Sequence, residues 1–473
     1  MTARMTWAAL LGAAVLAPAY QAPAQNLASP PPAVAAQPAP PAEKPLPPLS
    51  RADGEAIEAA LKGAGEFAFP PEFENAAAEL DSPDPATRKK AEDTLVVAAE
   101  ALAFAEHGAF ANPASIDPDW ASRGPYDAAA DFEKARAEGR VPAWLDSLKR
   151  RDPEYLALVA AWRRYQAIAA AGGWPRLPER ASSGKGGKAR FVELVHARLA
   201  KEGYAGDSYA EDVAEFQRRH SLDPTGVVDA KTIAAMNVPV EARLATLGAN
   251  LVRERWLPDP LPPDRIVADI AAAEVTLLRD GQPALTMRAI VGDKKHLTPI
   301  FVSRVSNIVF NPAWHVPESI AKAELYPKEA RSHGYFARND FSVINGQLVQ
   351  HAGPKSALGR IKFDMPDPFN VYLHDTPGKA LFAVDSRGRS HGCVRLEKPK
   401  ELALELLSAQ GWDDDRIETT IDKGDTLWVR PRQSIPVYIV YRTAEATGDG
   451  PATFRPDTYG WDSKLNAALA PAR

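Results

Sequence analysis

Arg389-Ser390-His391-Gly392-Cys393-Val394-Arg395-Leu396 contains the one cysteine in 473 residues. Cys393 therefore has no intramolecular disulfide partner. A second histidine lies upstream, in Asn370-Val371-Tyr372-Leu373-His374-Asp375-Thr376-Pro377. A lone Cys with two His nearby is the material of a thiol nucleophile. A free cysteine is more often a small buried core residue. Here polar Ser390, His391 and Arg395 surround it, and Gly392 lets the backbone turn tightly, which fits a reactive and partly exposed thiol better.

The residue types suggest roles. A thiol is mostly protonated at neutral pH, and a neighbouring imidazole that takes its proton makes a pair favouring thiolate. Backbone N–H groups around Gly392 and Cys393 are candidate oxyanion donors for acyl transfer. Ser390 and His391 are expected to shape the turn and its local field, and Cys393, His374, His391 and Gly392 are the expected catalytic residues, with His391 as the alternative base. Arg395 can grip a carboxylate in a planar fork, or serve in a structural ion pair. The carbonyl of Asp375 is expected to hold one ring nitrogen of His374. Tyr372, Asp375, Ser390 and Arg395 are the expected substrate-binding residues.

His374, fifteen further residues and then Ser-His-Gly-Cys-Val-Arg together resemble the signature of L,D-transpeptidases with a YkuD-type catalytic domain. The likeness extends through Val291-Gly292, Thr298-Pro299, Asn311-Pro312-Ala313-Trp314 and Ala357-Leu358-Gly359-Arg360-Ile361-Lys362-Phe363. It is nearest the long, periplasmic, YcbB-like subgroup and covers roughly residues 185 to 465. The resemblance implies that Cys393 is the nucleophile and His374 its general base. It implies attack on the bond between the third-position diamino acid and D-Ala of a peptidoglycan stem peptide. D-Ala leaves, a thioester forms, and a neighbouring stem's side-chain amine resolves it as a 3→3 cross-link. Carbapenem-type inhibitors are the implied covalent ligands, and the reaction needs no cofactor.

Hydrophobic content of 45% and charged content of 25% are ordinary for globular domains. A net charge of −5 leaves no nucleic-acid footprint. Residues 1–24 read as a secretory signal: Arg4, an apolar run from Trp7 to Pro18, and Ala22-Pro23-Ala24 as cleavage site. Left uncleaved, this segment would be the chain's membrane contact. The expected location is the periplasm. An exported protein with one Cys has not used disulfides for stability.

The expected architecture is multidomain α+β. Residues 25–50 are a Pro/Ala-rich linker. Residues 51–185 form a helical scaffold, with helices over Ala86–Ala105 and Tyr155–Ala171. Residues 186–239 form a small three-helix unit. Its Glu215-Phe216-Gln217-Arg218-Arg219-His220-Ser221-Leu222 and Thr225-Gly226-Val227-Val228-Asp229 resemble a peptidoglycan-binding domain, although that family usually has Asp-Gly in the turn and Gly at Ser221. Residues 240–262 are a connecting helix. Residues 263–442 form a mostly β catalytic domain, and 443–473 a tail. Strands are predicted at Ile266–Ile270, Val275–Leu278, Leu285–Val291, Ser303–Phe310, Asn370–Leu373, Thr426–Val429 and Val437–Tyr441. A helix is predicted at Pro399–Gln410.

The insertion over 317–362 is helical at first and punctuated by Gly334, Gly346 and Gly353. It is expected to be a lid with few β partners, hinged near those glycines. His107 reads as structural. The histidines at 196, 220, 296, 315, 333 and 351 have no metal-ligand spacing; His351 and Trp314 are candidates for the cleft wall. Rival readings are an L,D-carboxypeptidase, an enzyme attaching proteins to peptidoglycan, and a wall-binding protein with an idle domain. Papain-like and NlpC-type peptidases place Cys before His, the reverse of the order here.

Overall fold

The computed structural model describes residues 46–469 except 66, 68, 110, 122–125, 181–185, 207, 385 and 449. The expected signal segment and residues 25–45 of the linker lie outside the described residues. Among the described residues, no helix is long and apolar enough to cross a membrane.

The expected scaffold of residues 51–185 divides. Among the described residues, one compact unit takes in 46–109 together with 126–149, and the other takes in 111–121 and 150–468. In the first, Ser50 opens the helix Arg51–Gly63 with a capping box, and Asp84 caps Pro85–Glu106. Ile57, Leu95, Leu102, Phe132 and Trp144 are in its core. In the second, helix Pro153–Ala170 packs on Val240–Arg255 through Tyr155, Leu158, Leu247 and Leu251. The expected tail is folded into the same cluster. Ala444–Glu445 pairs with Thr453–Phe454, Phe454 is buried there, and Trp461–Leu469 is a helix. Strands of two residues carry no periodicity, which is why the sequence reads as a tail.

Residues 263–442, the expected catalytic domain, are built on a curled mixed sheet. Its strands are β1 (Arg265–Asp269), β2 (Glu274–Arg279), β3 (Gln282–Gly292), β4 (Phe301–Arg304) and β5 (Asn307–Phe310). A short β6 (Trp314–His315), β7 (Phe341–Ile344) and β8 (Gln347–Gln350) follow. The chain continues through β9 (Ile361–Asp364), β10 (Leu373–His374), β11 (Gly388–Ser390), β12 (Val394–Leu396), β13 (Leu427–Val429) and β14 (Pro436–Val440). The order is β13-β5-β9-β10-β12-β3-β2-β1-β14-β4, with β11 also on β3. β4 ends the sheet on one side and β5 lies next to its other end, yet only Val305 and Ser306 separate them. The sheet must therefore curl until its ends meet. The single strand predicted over Ser303–Phe310 is broken at that seam: Val305 N–H donates to Ile435 O and Ser306 N–H to Asp364 O. Asp280-Gly281 makes the β2–β3 hairpin with φ of 49° and 76°, the left-handed pair such a turn requires.

The insertion is more structured than its sequence suggests. β6, β7 and β8 form a separate sheet in the order β6-β8-β7. Val316, Ala321, Leu325, Phe341 and Leu348 form a core against it. The expectation of few β partners is thus corrected. Two of the expected hinges sit inside folded elements: Gly334 opens the helix Tyr335–Arg338, and Asn345-Gly346 is the β7–β8 turn, at φ of 52° and 82°. The leading helix contains a π turn, Ala321–Leu325.

The three-helix unit comprises Gly187–Glu202, Tyr209–Arg219 and Ala230–Met236, the last capped by Asp229. Val195, Leu199, Val213, Phe216, Ile233 and Met236 fill it. Its motif glutamine is a brace. Buried Gln217 donates to Thr225 Oγ1 (3.3 Å), Val227 O (2.8 Å) and Thr232 Oγ1 (3.0 Å), and accepts Gly226 N–H (2.9 Å). Gly226 stands at φ 70°, and a Cβ there would lie 2.9 Å from Ala210 O. Gln217→Ala strands these buried groups, at about 1–3 kcal/mol. It should lower the thermal midpoint and speed hydrogen exchange over residues 217–232. An unchanged midpoint would mean that the turn holds itself.

Candidate active site

The site is built on one face of three neighbouring strands. β10 runs antiparallel to β9 and parallel to β12, and His374 pairs with Lys362 on one side and Arg395 on the other. Paired residues send their side chains to the same face, so Lys362, His374 and Arg395 form one rung. One step back, Val394 N–H donates to Tyr372 O at 3.1 Å. Tyr372 faces Cys393 there, and its phenol and backbone N–H both hydrogen-bond the sulfur. The Tyr372 and His374 rings meet edge to face at 5.5 Å.

His374 is buried, with Nδ1 2.5 Å from the Asp375 carbonyl. That bond keeps the proton on Nδ1 and leaves Nε2 as the acceptor. Burial first, then the positive charges of Arg395 and Lys362, hold its pKa down to about 3 against the pull of the Asp375 carbonyl. Burial also raises the Cys393 thiol, opposed by the Tyr372 hydrogen bonds and by Lys362. Both shifts favour the uncharged thiol and imidazole over the thiolate-favouring pair expected from the residue types, because the surroundings are dry and already cationic.

The other expected residues fall into place unequally. Ser390 is buried; its hydroxyl donates to Cys393 O at 2.6 Å and accepts Gly392 N–H at 3.1 Å. It braces the turn and has no free group for substrate, which corrects its expected role. Gly392 needs its residue type, standing at φ 107°. Its N–H, one of the two expected oxyanion donors, is occupied by Ser390 Oγ. The Asp375 carboxylate is also structural, accepting Arg360 N–H and Lys379 Nζ at 2.7 Å each. Arg395 has no ion pair among the described residues, and its Nε is buried without a hydrogen-bond partner. His391 is exposed, with Nε2 2.5 Å from Glu324 Oε1 on the insertion. The Trp314 side chain hydrogen-bonds the Tyr372 phenol. His351 bonds Ser342 Oγ at 2.7 Å within the insertion.

Four residues have no role in the sequence reading. Lys362 is visible there only as a letter in a motif; it stacks over the Tyr372 ring at 4.3 Å and pairs with Asp364 at 2.6 Å. Thr298 Oγ1 donates to Gly392 O at 2.7 Å and accepts Gly292 N–H at 2.9 Å. Tyr459, from the supposed tail, donates to Gly292 O at 2.6 Å. Glu324 lies in a helix that reads only as part of a lid. A cleft of about 630 Å³ opens between the three-helix unit and the sheet, with Thr225 and Lys231 on one wall and Lys294, Arg387 and Tyr459 on the other.

The chain is similar to known proteins in two of its regions. Residues 263–430 match the L,D-transpeptidase catalytic domain (YkuD), and residues 192–236 match the "Putative peptidoglycan binding domain". A "Putative L,D-transpeptidase" of Haemophilus influenzae is 34% identical over 242 residues, 47% of this chain and 49% of that protein. The chain thus spans about half the length of the curated relative it matches. A solved L,D-transpeptidase from Mycobacterium smegmatis aligns at 19% identity over 38% of this chain and 58% of its own, with a TM-score of 0.20. An L,D-transpeptidase in complex with imipenem aligns at 18% identity over 38% and 59%, also at 0.20.

The neutral resting pair has a pH signature. Iodoacetamide alkylation of Cys393 should rise steadily above pH 7, with no inflection near the ordinary histidine value of about 6.5. A reactive plateau between pH 5 and 7 would reveal a resting thiolate–imidazolium pair. Stability should respond too. His374 binds a proton more readily unfolded than folded, so its contribution is present above about pH 6.5 and is lost as pH falls from there toward 3.

Proposed function

We propose that this chain, whose residues 263–430 are an L,D-transpeptidase catalytic domain of the YkuD family, is a peptidoglycan L,D-transpeptidase that works through a Cys393 thioester. The supporting observation is the pair of rungs: the sole cysteine opposite Tyr372, with His374 beside them between two cations. In the first half-reaction Nε2 of His374 takes the thiol proton as sulfur attacks the peptide carbonyl. In this reading the Cys393 N–H meets the developing oxyanion. His374 then gives its proton to the departing D-Ala nitrogen, and a thioester remains.

Arg395 and Lys362 supply the substrate logic. A half-buried guanidinium without a counter-ion suits a carboxylate in bidentate contact. Tetrapeptide stems end in one, and the neighbouring diamino acid offers both an acyl group and, on a second stem, an amine. A 3→3 cross-link is the product of joining them. The peptidoglycan-binding domain of residues 192–236 and its polar cleft would hold the polymer nearby. The signal-like start at residues 1–24 supports a periplasmic location. A carbapenem, which presents a strained acyl group to the same thiol, should act as a covalent inhibitor.

Incubation with disaccharide-tetrapeptides and weighing of the products is the direct test. Dimers lacking one D-Ala support transpeptidation; tripeptide monomers alone would make the protein an L,D-carboxypeptidase. Cys393→Ala should form neither dimers nor a carbapenem adduct while keeping its fold. Adduct mass on that variant would remove Cys393 from the mechanism. His374→Ala should slow acylation roughly 10²–10⁴-fold, the range for a lost general base. The deficit should shrink as pH approaches the thiol's own pKa.

A further inference from the structure

The second half-reaction raises a problem that the two rungs do not solve. The acceptor is a primary amine, with an ordinary pKa of about 10.4, so it arrives as an ammonium at neutral pH. It must lose one proton before it has a lone pair to attack with. His374 is poorly suited to take that proton, because it is buried, flanked by Lys362 and Arg395, and held down to about 3. A cationic acceptor would also be repelled by the same two charges.

A second imidazole lies in the same turn as the nucleophile. His391 precedes Cys393 by two residues and is exposed, where His374 is buried. Its Nε2 contacts Glu324 Oε1 at 2.5 Å. Glu324 lies in the π turn Ala321–Leu325, a local departure from helical geometry of the kind that often marks functional sites. The charged groups around this pair are Lys328, 3.5 Å from Glu324 on the same helix, and the β3–β4 turn. There His296 lies 4.6 Å from the His391 ring and is itself 3.1 Å from Asp293. With Glu324 and Asp293 set among Lys294, Lys295 and Lys328, this region is mixed in charge, whereas the Lys362–His374–Arg395 rung presents two cations.

We infer that His391 is the base that deprotonates the incoming acceptor amine, and that Glu324 is its positioning residue, delivered by the insertion. This rests on the transpeptidase reading above. Nε2–H of His391 donates to Glu324, which fixes the tautomer and leaves Nδ1 as acceptor. Nδ1 takes one proton from the ammonium and later releases it to solvent. The neutral amine then attacks the thioester carbonyl and the C–N bond forms. His374 takes the second proton from the attacking nitrogen and passes it to sulfur as the C–S bond breaks, restoring the thiol. The two histidines thereby divide the reaction: His374 serves both acyl transfers at the sulfur, and His391 prepares the acceptor.

The two steps separate experimentally. Acyl-enzyme is formed first, with its rate followed by mass, and is then mixed with a stem-peptide amine or with hydroxylamine, which is already uncharged at pH 7. Glu324→Gln and His391→Asn should acylate within about threefold of wild type and lose roughly 10²-fold in dimer formation, the lower range for general-base assistance. Resolution by hydroxylamine should be unchanged in both variants. The deficit with the peptide amine should close as pH rises toward about 10, where the amine loses its proton unaided. Glu324→Asp should recover part of the rate. A variant that loses acylation, peptide resolution and hydroxylamine resolution together would show a merely structural contact and overturn the inference. Unchanged dimer formation would overturn it as well. A wild-type acyl-enzyme that joins no amine would remove the transpeptidase reading and this inference with it.

Discussion

A two-residue strand holds the site together. Leu373 and His374 pair with Phe363 and Lys362 on β9 and with Val394 and Arg395 on β12. Backbone ladders fix which side chains share a face, and a slip of one residue would send His374 to the opposite side. Much of the domain serves that register. Leu373, Val394 and Phe363 are buried under it and pin the reverse face in the core. Thr298 and Tyr459 tie the nucleophile turn to the end of β3 through Gly292 and Gly392. The C-terminal hairpin and helix therefore belong to the catalytic machinery's support, although they lie beyond its sequence motif.

The same register sets the electrostatics. Placing Lys362 and Arg395 on either side of His374 makes an imidazolium expensive, and burial adds to this. The base stays neutral and available across the whole neutral range. The thiol is likewise kept protonated by burial, and the thiolate is stabilised only locally, by Tyr372 and Lys362.

The sequence carries the lone cysteine, the histidine that stands beside it in the fold and most long strands, because these depend on rare residue types or on sustained periodicity. Asp229, Asp84 and Gly411 are legible as helix punctuation for the same local reason. Orientation is not legible in this way. Ser390 and Asp375 stand beside the reacting groups in the chain, yet both turn inward and are consumed by backbone and side-chain partners. Lys362 and Glu324 lie well away in the chain and arrive through pairing and packing, which no local pattern encodes. The strand predicted over Ser303–Phe310 has a nearly continuous apolar rhythm; its division at Val305–Ser306 follows from closing the sheet, a global demand.

Arg395 shows where the fold gives up stability. Its guanidinium is half-buried, and among the described residues no carboxylate pairs with it. Lys362, on the far side of His374, has Asp364 at 2.6 Å. A buried charge left without a partner costs several kcal/mol, and an apolar residue of similar volume would pack there more favourably. The deficit is removable only by an anion from outside. A substrate carboxylate would relieve the desolvated guanidinium and strengthen binding at the same time, so part of the affinity is prepared in the unbound protein as strain. It would also neutralise one of the two charges that disfavour the imidazolium of His374. Binding of a carboxylate there would then raise the basicity of His374 through a single cross-strand pair.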